Sequence, residues 1–359
     1  MAECTTVRVG TRKSQLAMIQ TTWVVNELKK LNKNLNIEVI QMSTIGDQIL
    51  NKSLSKTGEK SLFTKELEEA LIAHKVDMVV NSLKDMPSTL PPNLTISAVS
   101  KREDPRDAVI MHPNNKGKTL SDLEAGSTIG TSALRRVAQL TKLYPHLKFQ
   151  SIRGNLNTRL HKLDETGIFS AIVLAVAGVK RMGWEDRISQ ILTPEECLYA
   201  VGQGALGIET RLDDIYNIQL VSQLHHRDTV IMTVCERAFL KTLGGGCSVP
   251  QAVHSWIKDN NLYLRAGVYN LDGTRSLVDE MHVSLEFDEK YQAMVQDVDP
   301  DKCTEFSCIT TTHKFMNQLI LKAAGHLGRD LALDLLKRGA KDILDEARKQ
   351  DLARPDQSI

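Results

Sequence analysis

The sequence has few aromatic residues, almost no excess charge and no long apolar run, and each shortage excludes a class of protein. Phe, Trp and Tyr make up 4% of the residues, too few for the stacking surfaces on which proteins bind single-stranded nucleic acid. The formal net charge is +1, so a general polyanion-binding surface is not expected. The longest apolar stretch, residues 171–179, is too short to span a bilayer.

The six cysteines are scattered and include no C-x-x-C pair, so neither a zinc site nor a disulfide framework is expected. The first residues lack the basic-then-apolar pattern of a secretion signal. No Walker run is present, and no G-x-G-x-x-G follows a predicted strand. We therefore expect a cytoplasmic protein that uses no metal and no nucleotide, and that binds neither nucleic acid nor a membrane.

The length of 359 residues predicts two or three domains. In the first block of the chain, strand-like and helix-like segments alternate, which predicts α/β units around a mostly parallel sheet. The predicted strands are 7–11, 36–42 and 76–82, and the predicted helices are 14–31 and 61–75. Ser61 is the expected cap of the second helix.

A second alternating block follows Pro105. Its predicted strands are 107–112, 127–131, 149–153 and 170–176, and its helices are expected to begin near Ser132, Asn155 and Ala177. Residues 9–17 and 129–140 share one pattern, in which a β-branched residue and Gly-Thr precede a helix with a hydroxyl and an arginine in its first turn. The shared pattern indicates that the two blocks are built alike.

The remainder of the chain predicts a return to the first block and then a smaller α+β unit. Residues 196–212 are punctuated by glycine and are expected to cross back. The C-terminal unit is predicted to contain a helix at 229–243, antiparallel strands at 262–270 and 280–287, an insertion loop at 288–312 and one or two helices within 327–350. The predicted domains are residues 1–101 with 203–222, residues 105–199, and residues 227–359.

Arginines and hydroxyl or amide side chains cluster where three helices are expected to begin. The first N–H groups of a helix lack partners and the helix dipole adds positive potential, so these starts favour anions. Arginine also binds carboxylates through two hydrogen bonds at once. The residues are Arg12, Ser14, Ser132, Arg135, Arg136, Arg153, Asn155 and Arg159. The alternative for each arginine is a solvated ion pair worth under about 1 kcal/mol.

The run NSLKDMPS, residues 81–88, carries an acid and a base to the end of a predicted strand. Ser82 is the last residue of predicted strand 76–82, and Lys84 and Asp85 follow shortly after it. Pro87 prevents a helix from continuing the chain there. A carboxylate beside a lysine and near arginines is favoured in its charged form, which suits stabilisation of a cation or proton transfer. The alternative is that Asp85 caps the turn while Lys84 is solvated.

Cys247 lies in LGGGCSVP, residues 243–250, where three glycines leave the thiol accessible and Pro250 stiffens the chain after it. No nearby histidine precedes the thiol, and His254 is seven residues further on, so a protease-like Cys-His pair is not favoured. The pattern favours a covalent attachment point over the usual alternative of inert core packing. Residues 43–60 form either a lid or an ordinary surface loop.

These segments together resemble the porphobilinogen deaminases, enzymes of tetrapyrrole synthesis. The resemblance extends over some ten motifs in order. They are VGTRKSQLAMIQ (9–20), STIGDQIL (43–50), GEKSLFTKELEEAL (58–71), VVNSLKDMPS (79–88), REDPRDA (102–108), IGTSALRR (129–136), SIRGNLNTRL (151–160), LAVAGVKRMG (174–183), AVGQGALGIE (200–209) and GGGCSVP (244–250).

The resemblance implies two α/β domains, similar to periplasmic binding proteins, that flank a cleft, and a smaller α+β C-terminal domain. It also implies a dipyrromethane cofactor joined to Cys247 by a thioether. Four porphobilinogen molecules would be added in turn, each losing ammonia, before water releases hydroxymethylbilane. The family further suggests a monomer.

Several residues match motif positions of the family and take their implied roles from it. Asp85 is the implied catalytic aspartate, aided by Lys84 and Arg12, and it would stabilise the cationic methylene-pyrrolenine formed when ammonia leaves. The implied binding residues for the pyrrole carboxylates and the cofactor are Ser14, Gln20, Ser82, Thr131, Ser132, Arg135, Arg136, Arg153, Asn155, Arg159, Arg181 and Gln203. Phe63 and Lys60, with loop 43–60, resemble the lid.

Three positions depart from the family pattern. Asn81 stands where a histidine is usual, Ala133 replaces a hydroxyl residue, and Gly244 replaces a commoner glutamate. Two other functions remain open from the residues alone. A non-catalytic small-anion binding module of periplasmic type would explain the arginines but not the glycine-framed thiol. An interaction protein with a redox-regulated cysteine would need a resolving thiol that the spacing does not supply.

Overall fold

A computed structural model describes residues 6–48, 63–244, 249–286, 307–311 and 317–353. The strands are β1 (Thr6–Arg12), β2 (Asn36–Met42), β3 (Met78–Ser82), β4 (Leu94–Val99), β5 (Asp107–Met111), β6 (Thr128–Gly130), β7 (Lys148–Gln150), β8 (Ala171–Ala175), β9 (Gln190–Ile191), β10 (Leu206–Arg211), β11 (Gln251–Lys258), β12 (Asn261–Tyr269) and β13 (Ser276–Ser284).

The α-helices are α1 (Gln15–Leu31), α2 (Ile45–Gln48), α3 (Lys65–Ile72), α4 (Leu134–Leu143), α5 (Leu156–Glu165), α6 (Val176–Arg181), α7 (Ile215–Ser222), α8 (Arg227–Leu243), α9 (Gln318–Lys337) and α10 (Ala340–Ala353).

The first sheet has the strand order β2-β1-β3-β10-β4. β1 is parallel to β2 and β3, whereas β10 is antiparallel to both β3 and β4. Apolar residues of α1, such as Val24 and Leu28, pack on one face of the sheet. The opposite face packs against α3 and against helices of the C-terminal unit, in a core that contains Leu67, Val79 and Val234.

The second sheet repeats this arrangement with the order β7-β6-β8-β5-β9. β6 is parallel to β7 and β8, and β5 is antiparallel to β8 and β9. Leu140 of α4 packs on one face of this sheet, and Leu163 of α5 and Val179 of α6 pack on the other. The two blocks are therefore built alike, as the shared pattern of residues 9–17 and 129–140 predicts.

The third unit contains the antiparallel sheet β11-β12-β13 and the helices α8, α9 and α10. α8 ends at Gly244, whose φ of 67° is a left-handed conformation that favours glycine at a helix C-terminus. The usual family residue, glutamate, would be strained at this position, so the departure at Gly244 fits the backbone. An isolated bridge joins Tyr199 to Val253 of β11.

The fold class expected from the sequence, two α/β units beside a smaller α+β unit, is confirmed. The prediction of mostly parallel sheets is confirmed for strand direction, because four of the five strands in each sheet run the same way and one reversed strand, β10 or β5, makes the two antiparallel contacts. The described part of the second predicted helix begins at Lys65, with Thr64 at its N-cap position. The expected cap, Ser61, lies outside the described residues.

Candidate active site

A cavity of about 320 Å³ lies between the first and second sheets. It is formed where β1, β3 and β8 end and where α1, α5 and α6 begin, which is the place where open α/β sheets bind ligands. The predicted site residues that line it are Arg12, Ser14, Gln20, Phe63, Ser82, Lys84, Asp85, Ser132, Arg136, Arg153, Asn155, Arg159, Arg181 and Gln203. The structure therefore brings together residues that lie up to 191 positions apart in the chain.

The start of α1 forms one wall of the cavity. Ser14 is the N-cap residue, and its Oγ accepts a hydrogen bond from the backbone N–H of Ala17 at 3.3 Å. The guanidinium carbon of Arg12 lies 4.4 Å from the centre of the Phe63 ring, within cation–π range. Gln20 donates from Nε2 to the Ser82 hydroxyl at 3.0 Å, so α1 is joined to the end of β3.

Asp85 lies in a single 3₁₀ turn, Leu83–Asp85, directly after β3. Leu83 is buried beneath the turn, whereas Asp85 is half-buried and lines the cavity. Burial lowers the pKa of Lys84; the neighbouring Asp85 opposes this effect, and two nearby guanidinium groups reinforce it. The turn therefore presents one carboxylate among several basic groups.

Two arginines of the cavity are destabilised in their charged form. Burial first, and then repulsion from Arg136 and Arg153, lowers the pKa of Arg159 to about 10. Burial also lowers the pKa of Arg181 to about 10. An anionic ligand would relieve this penalty, because it would pair with guanidinium groups that burial has stripped of water.

Hydrogen bonds to backbone carbonyls orient several side chains on the wall of the cavity opposite α1. Arg159 Nε donates to the Gly154 carbonyl at 2.8 Å, and Arg181 Nη2 donates to the Gly204 carbonyl at 2.7 Å. The Ser132 hydroxyl donates to the carbonyl of Ile152. Asn155 is the N-cap residue of α5, although its side chain makes no capping hydrogen bond.

Arg135 and Thr131 are placed differently from the other predicted binding residues. Arg135 Nη1 and Nη2 donate to the two carboxylate oxygens of Asp107 at 2.6 and 3.1 Å, and both side chains are buried. Thr131 accepts from the Ala133 backbone N–H at 3.3 Å. Neither residue is among those that line the cavity.

Asp107 is the functional residue that the sequence reasoning missed. Arg136 Nη2 and Gln203 Nε2 donate to its Oδ1 at 2.7 and 2.9 Å, so it organises both Arg136 and Gln203 as well as Arg135. Burial alone would raise the pKa of Asp107, but the two guanidinium groups hold it well below its ordinary value. The available signal was the aspartate at the start of a strand in REDPRDA, residues 102–108.

Cys247 and Lys60 lie outside the described residues. Among the cysteines that the structure does describe, burial raises the pKa of Cys197 to about 12 and that of Cys235 well above its ordinary value. Both thiols are therefore poor nucleophiles. In the described ranges, no three His, Cys, Asp or Glu side chains are grouped so as to hold a metal ion. No described helix is long and apolar enough to cross a membrane.

Solved structures similar to this chain include a substrate binding protein of an amino acid ABC transporter, which is 14% identical with a TM-score of 0.35, covering 67% of this chain and 95% of that chain. Another is the alkanesulfonate-binding protein from Xanthomonas axonopodis pv. citri bound to MOPS, also 14% identical with a TM-score of 0.35, covering 67% of this chain and 75% of that chain.

Two family models match the sequence. Residues 7–218 match the dipyrromethane cofactor binding domain of porphobilinogen deaminase, and residues 230–298 match the C-terminal domain of the same family. The porphobilinogen deaminase of Nostoc sp. is 48% identical over 76% of this chain and 84% of its own length. That of Synechococcus elongatus is 50% identical over 77% of this chain and 86% of its own length. The resemblance noted in the motifs is thus confirmed, and this chain belongs to the porphobilinogen deaminase family.

Proposed function

We propose that this chain is a transferase that joins four porphobilinogen molecules head to tail on a covalently bound dipyrromethane and then releases hydroxymethylbilane. The observation that carries the proposal is that, among the residues the structure describes, the cavity is lined by one carboxylate, the half-buried Asp85, and by five arginines. The substrate has one acetate and one propionate on each pyrrole ring, and it forms a cation when it loses ammonia. The arginines of the cavity can pair with the substrate carboxylates, and Asp85 can pair with the cation.

The residues present fit a dipyrromethane. Its carboxylates need several cationic donors, and the cavity supplies Arg136, Arg153, Arg159 and Arg181. Arg136 Nε is a buried donor without a hydrogen-bond partner among the described residues, which is costly unless an anion accepts from it. When bound, the cofactor supplies the pyrrole carbon to which the first substrate molecule is joined.

Asp85 would act on the charge that develops as the substrate reacts. The carbon–nitrogen bond of the protonated aminomethyl group breaks with its electron pair on nitrogen, neutral ammonia leaves, and the methylene carbon becomes cationic. A carboxylate about 4 Å away would stabilise that cation by roughly 4 kcal/mol at an effective dielectric constant near 20. Asp85 would then accept the proton lost when the new carbon–carbon bond restores the aromatic pyrrole.

Lys84 and Arg12 would hold substrate carboxylates beside the reacting carbon. The lowered pKa of Lys84 reflects burial, so a carboxylate partner would be bound with little competition from water. Arg12 is oriented by the Phe63 ring, and Phe63 with Lys60 is proposed to form part of a lid. Water exclusion by such a lid would protect the cation from hydrolysis.

Cys247 is the proposed attachment point, because a thioether needs a reactive and accessible thiol. Cys197 and Cys235 do not meet this requirement, since both are buried with raised pKa values. We further propose the domain boundaries given above, a cytoplasmic location, a monomeric state and no binding to nucleic acid.

Intact-protein mass spectrometry tests the attachment. The purified chain should carry an increment of two pyrrole units, and this increment should be absent in Cys247→Ala but retained in the control Cys308→Ala. Reversible binding of a small dicarboxylate by a protein that carries no adduct would instead support the non-catalytic binding module.

Turnover of porphobilinogen tests the role of Asp85. Asp85→Ala should retain the adduct and the thermal midpoint of the unmutated protein, while ammonia release falls by at least about 100-fold. Ordinary turnover in Asp85→Ala would show that another group stabilises the cation.

A further inference from the structure

Arg237 of α8 reaches from the C-terminal unit to the backbone that follows Asp85. Its side chain is 1% exposed. Nη2 donates to the Pro87 carbonyl at 2.6 Å, and Nη1 donates to the Met86 carbonyl at 3.3 Å. One planar guanidinium therefore fixes two consecutive carbonyls immediately after the proposed catalytic aspartate.

The third contact of Arg237 is with a separate piece of chain. Nε donates to the Ser307 carbonyl at 2.8 Å. Residues 307–311 are themselves held against β4, because the Cys308 carbonyl accepts from Ile96 N at 2.9 Å and Thr310 N donates to the Ile96 carbonyl at 3.0 Å. Arg237 thus joins a fixed segment beside the first sheet to the turn that carries Asp85.

The first sheet holds the turn at its other end. Leu83 N donates to the Ala205 carbonyl at 3.0 Å, just before β10. Within the turn, Met86 N donates to the Leu83 carbonyl at 3.2 Å. Leu83 is therefore fixed from the sheet and Met86 N from Leu83, and Arg237 in turn holds the carbonyls of Met86 and Pro87.

We propose that Arg237 is a positioning residue that sets the location of the Asp85 carboxylate. This inference rests on the role proposed for Asp85. A carboxylate that stabilises a developing cation must be placed accurately, since a misplacement of about 1 Å costs on the order of 100-fold in rate. Arginine suits the task because its rigid fork binds two carbonyls at once, whereas a lysine ammonium acts as a point charge. Through this side chain, the C-terminal unit contributes to the chemistry of the cleft.

The test compares Arg237→Lys with the matched control Arg211→Lys in the full-length protein carrying its adduct. Arg211 is also buried, at 8% exposure, and its Nη1 binds two backbone carbonyls, those of Leu71 at 3.1 Å and Val76 at 2.8 Å, while its Nη2 pairs with Asp214 at 2.6 Å. Both variants should lose thermal stability. Arg237→Lys should lower kcat for porphobilinogen about 10- to 100-fold with KM changed less than about threefold, whereas Arg211→Lys should keep kcat within about twofold.

The outcomes separate this inference from the proposed function. Equal kcat values for the two lysine variants, with equal loss of stability, would show that Arg237 is only structural. Asp85→Ala is measured alongside: if it abolishes turnover while Arg237→Lys does not lower kcat, only the positioning role is lost. If Asp85→Ala retains turnover, the proposed role of Asp85 fails, whatever the arginine variants show.

A milder substitution decides the question if Arg237→Lys does not fold. The Thr95 hydroxyl contacts the Thr310 hydroxyl at 2.5 Å and donates to the Cys308 carbonyl at 3.2 Å. Thr95→Val loosens segment 307–311, and with it the Ser307 carbonyl, without removing a buried charge. A fall in kcat of about threefold or more at constant KM would support positioning, and an unchanged kcat would overturn it.

Discussion

Breaking the buried ion pair between Arg102 and Glu236 should cost more stability than breaking a surface pair of the protein. Arg102 Nη1 and Nη2 donate to the two Glu236 carboxylate oxygens at 2.6 and 2.9 Å, and both side chains are buried. Glu236 also accepts from the Gly202 amide at 2.7 Å and from the Ser255 hydroxyl at 2.6 Å. Glu236→Gln leaves the guanidinium buried without its charge partner, so the free energy of unfolding should fall by about 3–5 kcal/mol.

The size of this loss can be converted into a melting temperature. An unfolding entropy of about 2.1 cal/mol/K per residue gives roughly 0.75 kcal/mol/K for 359 residues, so cooperative unfolding should occur about 4–7 °C lower. Differential scanning calorimetry measures the shift. The control Asp345→Asn breaks the exposed Arg348–Asp345 pair and should cost less than about 1 kcal/mol. Equal shifts in the two variants would refute the argument from burial.

Three further results are expected. Burial, reinforced by Glu68, raises the pKa of Glu209 in the folded state, so the folded protein keeps a proton that the unfolded chain releases above the ordinary pKa. The free energy of unfolding should therefore fall by about 1.4 kcal/mol per pH unit as the pH rises toward the folded pKa. Glu209→Gln should raise the melting temperature more at pH 8 than at pH 5. Equal gains at the two pH values would contradict this. Phe63→Leu removes the ring beside Arg12 and should raise KM for porphobilinogen about two- to fivefold in steady-state assays, so an unaltered KM would exclude the contact from substrate binding. Gly207→Ala would place a Cβ 2.4 Å from the Met86 sulfur and should cost about 1–3 kcal/mol in urea unfolding, whereas an unshifted midpoint would mean that Met86 moves freely.

Regular elements with clear boundary signals could be predicted from the sequence. The predicted strand 36–42 coincides with β2, and α1 begins directly after its cap, Ser14. β4 was missed although its sequence alternates apolar residues with Thr95 and Ser97, and these two hydroxyls are buried against Thr310 and Thr210 rather than exposed to solvent. β11 was missed because it carries polar residues such as Gln251 and Ser255 that are nevertheless buried.

The composition of the cleft could also be predicted from motifs, but the orientation of individual side chains could not. Arg135 and Arg136 are adjacent in α4, so they point in directions about 100° apart around the helix axis. Arg136 lines the cavity and also binds Asp107, whereas Arg135 binds Asp107 and does not line the cavity. Their roles depend on the position of Asp107 in three dimensions, which neither spacing nor composition specifies.

The bridge between Ile96 and Ile309 also affects how the protein behaves in concentrated solution. β4 is the outermost strand of the first sheet, and an uncovered outer strand offers unpaired N–H and C=O groups to a second molecule. Residues 307–311 occupy part of that hydrogen-bonding ladder within the same chain. By this self-pairing the chain leaves fewer N–H and C=O groups of the outer strand for pairing with another copy, which is one of the ways in which sheet proteins limit edge-to-edge association.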